Sequence, residues 1–153
     1  MGGFRDRGGW WVVGQFGLLA IVAFALLSAG EDWGLAARIA GAVTAALGAA
    51  LAIGGLITLG DNLTPFPAPR SDSALVERGV YRVVRHPIYG GTVLGSLGAG
   101  VFDGNLPAIW ASVALMAYLW SKAGHEEGRL VAHHPDYADY RSRVRRRLIP
   151  WVF

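Results

Sequence analysis

Ionisable side chains gather at two places in an otherwise apolar chain. The first place is the stretch 79–91, where Arg85, His86 and Tyr89 stand beside a proline and are followed by paired glycines. The second is 122–127, which holds a lysine, a histidine and two glutamates. Side chains of these types bind ligands or move protons. Two such clusters at the mouths of apolar segments predict a functional site.

A helix is predicted to begin at His86-Pro87, because proline is favoured in the first turn. The free N–H groups and positive dipole end of such a helix favour an anionic ligand group. Gly90 and Gly91 follow one turn inside, where the absence of a side chain can leave room for a bound molecule. Gly91 and Gly95 also have the spacing that allows close approach of a second helix.

The second cluster is predicted to lie on an amphipathic helix over 122–139, interrupted by Pro135. Glu126 and Glu127 are adjacent, so their side chains point in different directions. Lys122 lies one turn before Glu126 on the same face. We therefore expect Glu126, and not Glu127, to share a pocket with Lys122.

The composition indicates an integral membrane protein. The 153 residues are 53% hydrophobic and 16% charged, whereas about 25% charged residues is usual in a soluble domain. The absence of cysteine excludes disulfides, thiolate catalysis and zinc–thiolate sites. The net charge of +3 flanks the apolar segments, which argues against a nucleic-acid partner.

We predict an all-α integral membrane protein with about four transmembrane helices and a cytoplasmic C-terminal helical tail. The first segment is longer than the apolar region of a signal peptide, which favours a retained anchor. The last two segments are short and are joined by a turn at 103–105, so they form a tight hairpin that spans jointly or with tilt. Three spans with one re-entrant segment is the alternative. The four apolar segments are 10–28, 35–59, 88–102 and 106–121.

The chain is expected to form one structural domain with two parts. Residues 1–60 hold the two N-terminal membrane helices, and 61–153 hold a cytoplasmic loop, the helical hairpin and the tail. With four crossings nearly all basic residues share one side, which puts both termini and both polar clusters in the cytoplasm. The arginines at 145–147 are expected to bind anionic lipid headgroups, worth about 1 kcal/mol each.

Other kinds of chemistry have weaker support in the sequence. The four histidines lack the spacing of a zinc protease, and no Gly-x-Ser-x-Gly nucleophile elbow is present. Ionisable residues are nearly absent from the apolar interior, so no ion relay for transport is visible. A small structural or accessory membrane protein without chemistry remains the alternative to an enzyme.

An ordered set of short motifs covers about the C-terminal 90 residues. The set resembles the isoprenylcysteine carboxyl methyltransferase and phospholipid methyltransferase superfamily, and its first, proline-rich motif resembles the bacterial members. The motifs are Leu63-Thr64-Pro65-Phe66-Pro67-x-Pro69, Leu75-Val76-x-x-Gly79-x-Tyr81, Arg85-His86-Pro87-x-Tyr89-x-Gly91, Glu126-Glu127-x-x-Leu130, Tyr137-x-x-Tyr140 and Val144-x-Arg146.

The resemblance implies a membrane-embedded methyltransferase that uses S-adenosylmethionine. In that superfamily the cofactor lies in a cytoplasmic pocket capped by the tail, and a lipophilic substrate enters from the bilayer. A helix start with His86 suits the cofactor carboxylate, Glu126 suits a cation, and Tyr81 or Tyr89 can stack on the adenine. The positions implied to bind the cofactor are Ser73, Ala74, Leu75, Val76, Tyr81, His86, Pro87, Ile88, Tyr89 and Glu126.

The resemblance also implies catalytic and substrate-binding roles. Lys122 stands where isoprenylcysteine enzymes place an arginine that meets the substrate carboxylate, and lysine pairs with an anion only as a point charge. The acceptor therefore stays open between an isoprenylcysteine-like carboxylate and a phospholipid amine or another small lipophilic amine or thiol. Glu127 is the candidate base for an acceptor that must lose a proton. Membrane lipids are expected partners, and no metal and no obligate protein partner is expected.

Overall fold

The structure, a computed structural model, describes residues 3–67 and 74–150. All the regular structure within these residues is helical, as predicted. Two short 3-10 helices, Gly60–Asn62 and Gly79–Arg82, lie between the second and third α-helices. The α-helices are α1 (Gly9–Ala25), α2 (Gly34–Leu59), α3 (Pro87–Phe102), α4 (Leu106–His133) and α5 (Tyr137–Arg143).

The predicted apolar segments correspond to α1, α2, α3 and the first part of α4. Together with the turn that follows it, α2 forms a helical stretch, Gly34–Asn62, with a mean hydropathy of 2.0 that is long and apolar enough to cross a membrane. By contrast, α1 is apolar but shorter, since it ends at Ala25 rather than at the predicted residue 28. The apolar part of α4 continues without a break into the charged stretch that ends at His133.

Proline and asparagine set the helix boundaries that the sequence predicted. His86 is the N-cap of α3 and Pro87 follows it in the first turn. The side chain of Asn105 caps α4 by accepting a hydrogen bond of 2.8 Å from the N–H of Ala108. Its amide nitrogen also donates to the carbonyl oxygen of Ala25, so the turn between α3 and α4 is attached to the end of α1.

Glycines allow α2 and α3 to pack backbone against backbone. Gly41, Gly48 and Gly55 are buried on α2 and recur every seven residues, which places them on one face. A Cβ atom on Gly91 of α3 would lie 2.5 Å from both the amide nitrogen of Ala52 and the carbonyl oxygen of Gly48. The two helices can therefore approach this closely only without those side chains.

The expectation that Gly90 and Gly91 leave room for a ligand is wrong. Gly91 faces α2, and the main chain of Leu148 from the C-terminal tail covers Gly90. Both positions lack a side chain because backbone from another segment occupies the space.

The second helix pair, α1 and α4, meets α3 in an apolar core. Its buried members are Val22 of α1, Val93 of α3, and Leu115 and Leu119 of α4. The helices therefore pack in the order α1, α4, α3 and α2. Helix α3 lies between α4, its partner in the hairpin, and the face of α2 that carries the glycines.

The C-terminal tail folds back onto the segment before α3. Tyr137 and Tyr140 are buried, and the hydroxyl of Tyr140 donates to the carbonyl oxygen of Tyr81 at 2.7 Å. The tail main chain accepts from the N–H of Arg85 and, at 2.8 Å, from that of His86. The start of α3 is thus enclosed by residues far away in the sequence.

Gly91→Ala should destabilise the protein, whereas Gly95→Ala should be tolerated. The new methyl group at Gly91 meets the α2 backbone, and overpacking of this kind costs about 1–3 kcal/mol. At Gly95, one helical turn later, a Cβ atom has no neighbour within 4 Å. Thermal unfolding of the purified variants in detergent measures the difference, and equal midpoints would contradict the proposed backbone contact.

Candidate functional site

A cavity of about 370 Å³ lies beside the start of α3. Sites for small molecules usually measure about 300–1,000 Å³. Side chains from α1, α2, α3, α4 and α5 line the cavity, together with the loop 62–67 and the segment 74–76. Residues of both polar clusters therefore line the same cavity, together with residues from distant parts of the described chain.

Most of the residues predicted to bind a ligand lie around this cavity. Ser73 lies outside the described residues, Pro87 packs against Gly55 of α2, and Glu127 does not line the cavity. The predicted residues that do line it are Ala74, Leu75, Val76, Tyr81, His86, Ile88, Tyr89, Lys122 and Glu126.

The sequence did not lead us to assign a role to the other residues of the cavity wall. The two tyrosines of the tail were part of a motif, but the motif did not say where they point. Gln15 was recognisable as the one amide in an apolar helix, which is a signal for function. The residues without a predicted role include Gln15, Phe16, Leu56, Leu59, Leu63, Pro65, Leu130, His134, Tyr137 and Tyr140.

Glu126 is the carboxylate that faces the cavity. It lies in the charged part of α4, beyond the apolar segment 106–121. The hydroxyl of Tyr89 donates to its Oε1 at 2.5 Å, and Nδ1 of His86 lies 3.5 Å from its Oε2. Burial raises the pKa of Glu126 above the usual 4.5, although His86, Tyr89 and Lys122 act in the opposite direction.

Glu127 lies on the other side of His86 and is held by cations. Its Oε1 accepts from Nε of Arg85 at 2.9 Å, and its Oε2 accepts from Nη2 of Arg147 at 3.1 Å. Burial acts to raise its pKa, but the hydrogen bonds from His86 and Arg85 outweigh burial and lower the pKa to about 2. Glu127 is paired with two arginines and does not line the cavity, and a carboxylate with so low a pKa is a poor proton acceptor. The predicted role of Glu127 as a base is therefore not favoured.

His86 is fixed between the two glutamates. Its Nδ1 faces Glu126 and its Nε2 lies 3.2 Å from Oε1 of Glu127. The imidazole also stacks on the ring of Tyr89, with 5.6 Å between ring centroids and an angle of 1° between the planes. The histidine therefore links the carboxylate that faces the cavity to the carboxylate that holds the arginines.

Lys122 connects three segments at the cavity wall. Its Nζ donates to Oε1 of Gln15 at 2.5 Å and to the carbonyl oxygen of Pro65 at 3.0 Å. It also lies 4.0 Å from Oε1 of Glu126. The side chain is fully buried, so its charge depends on these oxygen atoms for stabilisation. The sequence prediction that Lys122 and Glu126 share a pocket is confirmed.

Comparison with known families identifies the chain. The family model described as phospholipid methyltransferase matches residues 36–134, nearly two thirds of the sequence. The chain belongs to the phospholipid methyltransferase family. This confirms the resemblance found in the motifs, and membership implies methyltransferase activity in general. A search of curated proteins found no match.

The match assigns the chain to a membrane family, in agreement with the apolar helical stretch Gly34–Asn62. It begins in α2 and ends just after α4, so it includes both polar clusters. Two parts of the cavity wall lie outside it, namely α1 and the tail that contains α5.

The position of the C-terminal tail contradicts one prediction about lipid binding. Arg147 was expected to face lipid headgroups, but it binds Glu127 and lies over the ring of Trp120, 4.5 Å from the ring centroid. Its main-chain carbonyl accepts from the N–H of His86. The expectation is therefore wrong for Arg147. Arg145 and Arg146 are exposed, and for them lipid binding stays a prediction.

Glu127→Gln should strongly destabilise the fold. It leaves Arg85 and Arg147 without their anion, and loss of one partner from a buried ion pair costs about 3–5 kcal/mol. The matched control is Glu77→Gln, which removes one of the two carboxylate partners of the exposed Arg143 and should cost at most about 1 kcal/mol. Thermal or denaturant unfolding compares them, and similar losses would refute the structural role of Glu127.

The ion pairs of Glu127 should make the free energy of unfolding depend on pH in acid. The pKa of Glu127 is about 2 in the folded protein, below its usual 4.5. Its contribution is therefore complete above pH 4.5 and is lost as the pH falls through about 2. The slope of unfolding free energy against pH in this window should be smaller in Glu127→Gln. An unchanged slope would contradict the assignment.

Proposed function

We propose that this chain is a membrane-embedded methyltransferase that transfers the methyl group of S-adenosylmethionine to a lipophilic acceptor. The observation that carries the proposal is the cavity at the start of α3, where the half-buried Glu126 lies beside Tyr89, His86 and Lys122. The family membership supports methyl transfer as the reaction. Methyltransferases of this family generally use S-adenosylmethionine.

The side chains around the cavity match the groups of this cofactor. We propose that Glu126 binds its cationic part and that Tyr81 and Tyr89 pack against its adenine. His86 and the N-terminus of α3 suit its carboxylate. When bound, the cofactor supplies an electrophilic methyl group. Ala74, Leu75, Val76 and Ile88 complete the proposed cofactor side. Ser73 lies outside the described residues and stays a prediction from the sequence.

The chain itself contributes mainly positioning and exclusion of water. The leucines of α2 and of the loop 62–67 give the cavity an apolar wall, which favours a lipophilic acceptor. Holding the acceptor in line and removing its hydration lowers the barrier to direct displacement. The pKa of about 2 makes Glu127 a poor base. We therefore propose that the acceptor reaches the site already deprotonated, as a carboxylate, a thiolate or a neutral amine.

Lys122 remains the proposed substrate-binding residue. Two of its three N–H donors are used by Gln15 and Pro65, which leaves one for another oxygen. Its positive charge at the cavity wall favours an acceptor that carries an anionic group. An isoprenylcysteine-like carboxylate and a phospholipid with its phosphate both meet this requirement. Membrane lipids and the lipophilic acceptor are the proposed partners, without nucleic acid or an obligate protein partner.

We propose that the chain crosses the membrane four times, with both termini and the cavity on the cytoplasmic side. Large apolar side chains on the outside of the helices support this arrangement. For example, Phe24 of α1 is 77% exposed and Ile57 of α2 is 76% exposed, which suits contact with lipid. The basic residues flank the helix ends that surround the cavity, which suits the cytoplasmic side.

Calorimetry with S-adenosylmethionine tests the cofactor assignment. Glu126→Gln should weaken binding about tenfold or more, because a hydrogen bond to a charged group is lost. Binding to the wild type should also weaken as the pH falls through the pKa of Glu126, which is raised above 4.5, since the protonated acid no longer attracts a cation. Glu126→Gln should lack this pH dependence, and Glu77→Gln is the control for charge alone.

Absence of S-adenosylmethionine binding by the folded wild type would remove the proposal and favour the non-catalytic alternative. If the cofactor binds, transfer of a labelled methyl group into lipid extracts and prenylated thiols should identify the acceptor class. Binding that Glu126→Gln leaves unchanged would refute the residue assignment while keeping the reaction.

The absence of cysteine makes the topology simple to test. Single cysteines placed at Ser142 in the tail and at Asp103 in the turn between α3 and α4 should lie on opposite sides of the membrane. A membrane-impermeant thiol reagent applied to intact cells should label Asp103→Cys and not Ser142→Cys, whereas permeabilised cells should label both. Equal labelling in intact cells would contradict the four-span arrangement.

A further inference from the structure

The amide of Gln15 is a polar group of the cavity wall that has no role so far. It belongs to α1, which lies outside the family match at 36–134. Gln15 and its neighbour Phe16 nevertheless line the cavity together with Lys122. The role of Gln15 in the site therefore does not follow from the family match.

Lys122 fixes the orientation of this amide. Its Nζ donates to Oε1 of Gln15 at 2.5 Å, and the lysine is itself fully buried and bound to the loop at Pro65. A glutamine amide has one acceptor oxygen and two N–H donors. With the oxygen turned towards the lysine, the nitrogen Nε2 is left for a different partner.

Within 3–67 and 74–150 the structure gives Nε2 of Gln15 no hydrogen-bond acceptor. The neighbouring wall is apolar, since Phe16, Leu56, Leu59 and Leu63 line the same cavity. A few placed polar groups in an otherwise apolar pocket usually fix the orientation and identity of the ligand. Gln15 thus lines the cavity with two amide donors that form no hydrogen bond with these residues.

We propose that Gln15 determines acceptor specificity by donating a hydrogen bond to an oxygen atom of the lipophilic acceptor. The inference rests on the proposed function, because the acceptor occupies this cavity in the methyl-transfer reaction. Lys122 acts here as a positioning residue that presents the amide. The oxygen belongs either to a neutral carbonyl group or to an anion such as a carboxylate, and both accept from an amide N–H.

Three probes with the same tetradecyl chain test the proposal on the full chain in nanodiscs. Tetradecanoate carries an anionic oxygen, methyl tetradecanoate carries a neutral carbonyl, and tetradecanethiol lacks oxygen. The wild type should bind at least one oxygen-bearing probe about tenfold more tightly than the thiol, the ratio expected when a buried donor would otherwise lack its partner. Preference for tetradecanoate alone identifies an anion, and preference for both identifies any carbonyl oxygen.

Two substitutions distinguish the loss of the amide donors from a general effect on folding. Gln15→Leu removes the amide, and Gln15→Glu keeps an oxygen for Lys122 but removes both donors, so the contact that supports the lysine survives. Both should lose the preference for oxygen. Val13→Leu is the matched control on α1, because Val13 is exposed and does not line the cavity. It should bind all three probes as the wild type does.

The outcomes distinguish this inference from the proposed function. A wild type without preference for oxygen, or a preference that persists in both Gln15 variants, would overturn the role of Gln15. Calorimetry with S-adenosylmethionine should give the same Kd for wild type and Val13→Leu. Failure of the wild type to bind S-adenosylmethionine would instead remove the methyltransferase proposal, and the probe ratios would still report on Gln15.

Discussion

The buried carboxylate of Glu127 is the interaction on which the site depends. It joins α4 to Arg85 before α3 and to Arg147 in the tail, and it also contacts the ring of His86. Burying these charges costs solvation, so their pairing adds little net stability, but losing one partner leaves a charge uncompensated. The interaction therefore selects one arrangement of three distant segments rather than simply strengthening the fold.

The two adjacent glutamates have different surroundings, because an α-helix turns by about 100° from one residue to the next. Glu126 faces the cavity beside Tyr89, where burial raises its pKa. Glu127 faces the arginines, and its pKa of about 2 keeps it ionised. His86 contacts both. The ion cluster thus holds the histidine in place, and the histidine in turn faces the carboxylate proposed to bind a ligand.

Local rules made much of this arrangement predictable. Proline in the first turn indicated the start of α3, and helical periodicity placed Lys122 and Glu126 on one face. The pairing of Arg147 with Glu127 was not predictable, because an arginine-rich tail looks equally suited to lipid headgroups and only the chain path decides. The seven-residue spacing of buried glycines on α2 was visible in the sequence, yet its partner helix was not.

The division between matched and unmatched parts of the chain has a physical meaning. Residues 36–134 carry Arg85, His86, Lys122 and the paired glutamates, whereas Arg147, which binds Glu127, lies in the tail outside this range. Closure of the cavity comes from outside this region, through α1 on the side of Lys122 and through the tail tyrosines on the other. Charged groups require a fixed mutual geometry, whereas the walls can change with the shape of the acceptor. A family that keeps one reaction and varies its acceptor would be expected to vary these two walls first.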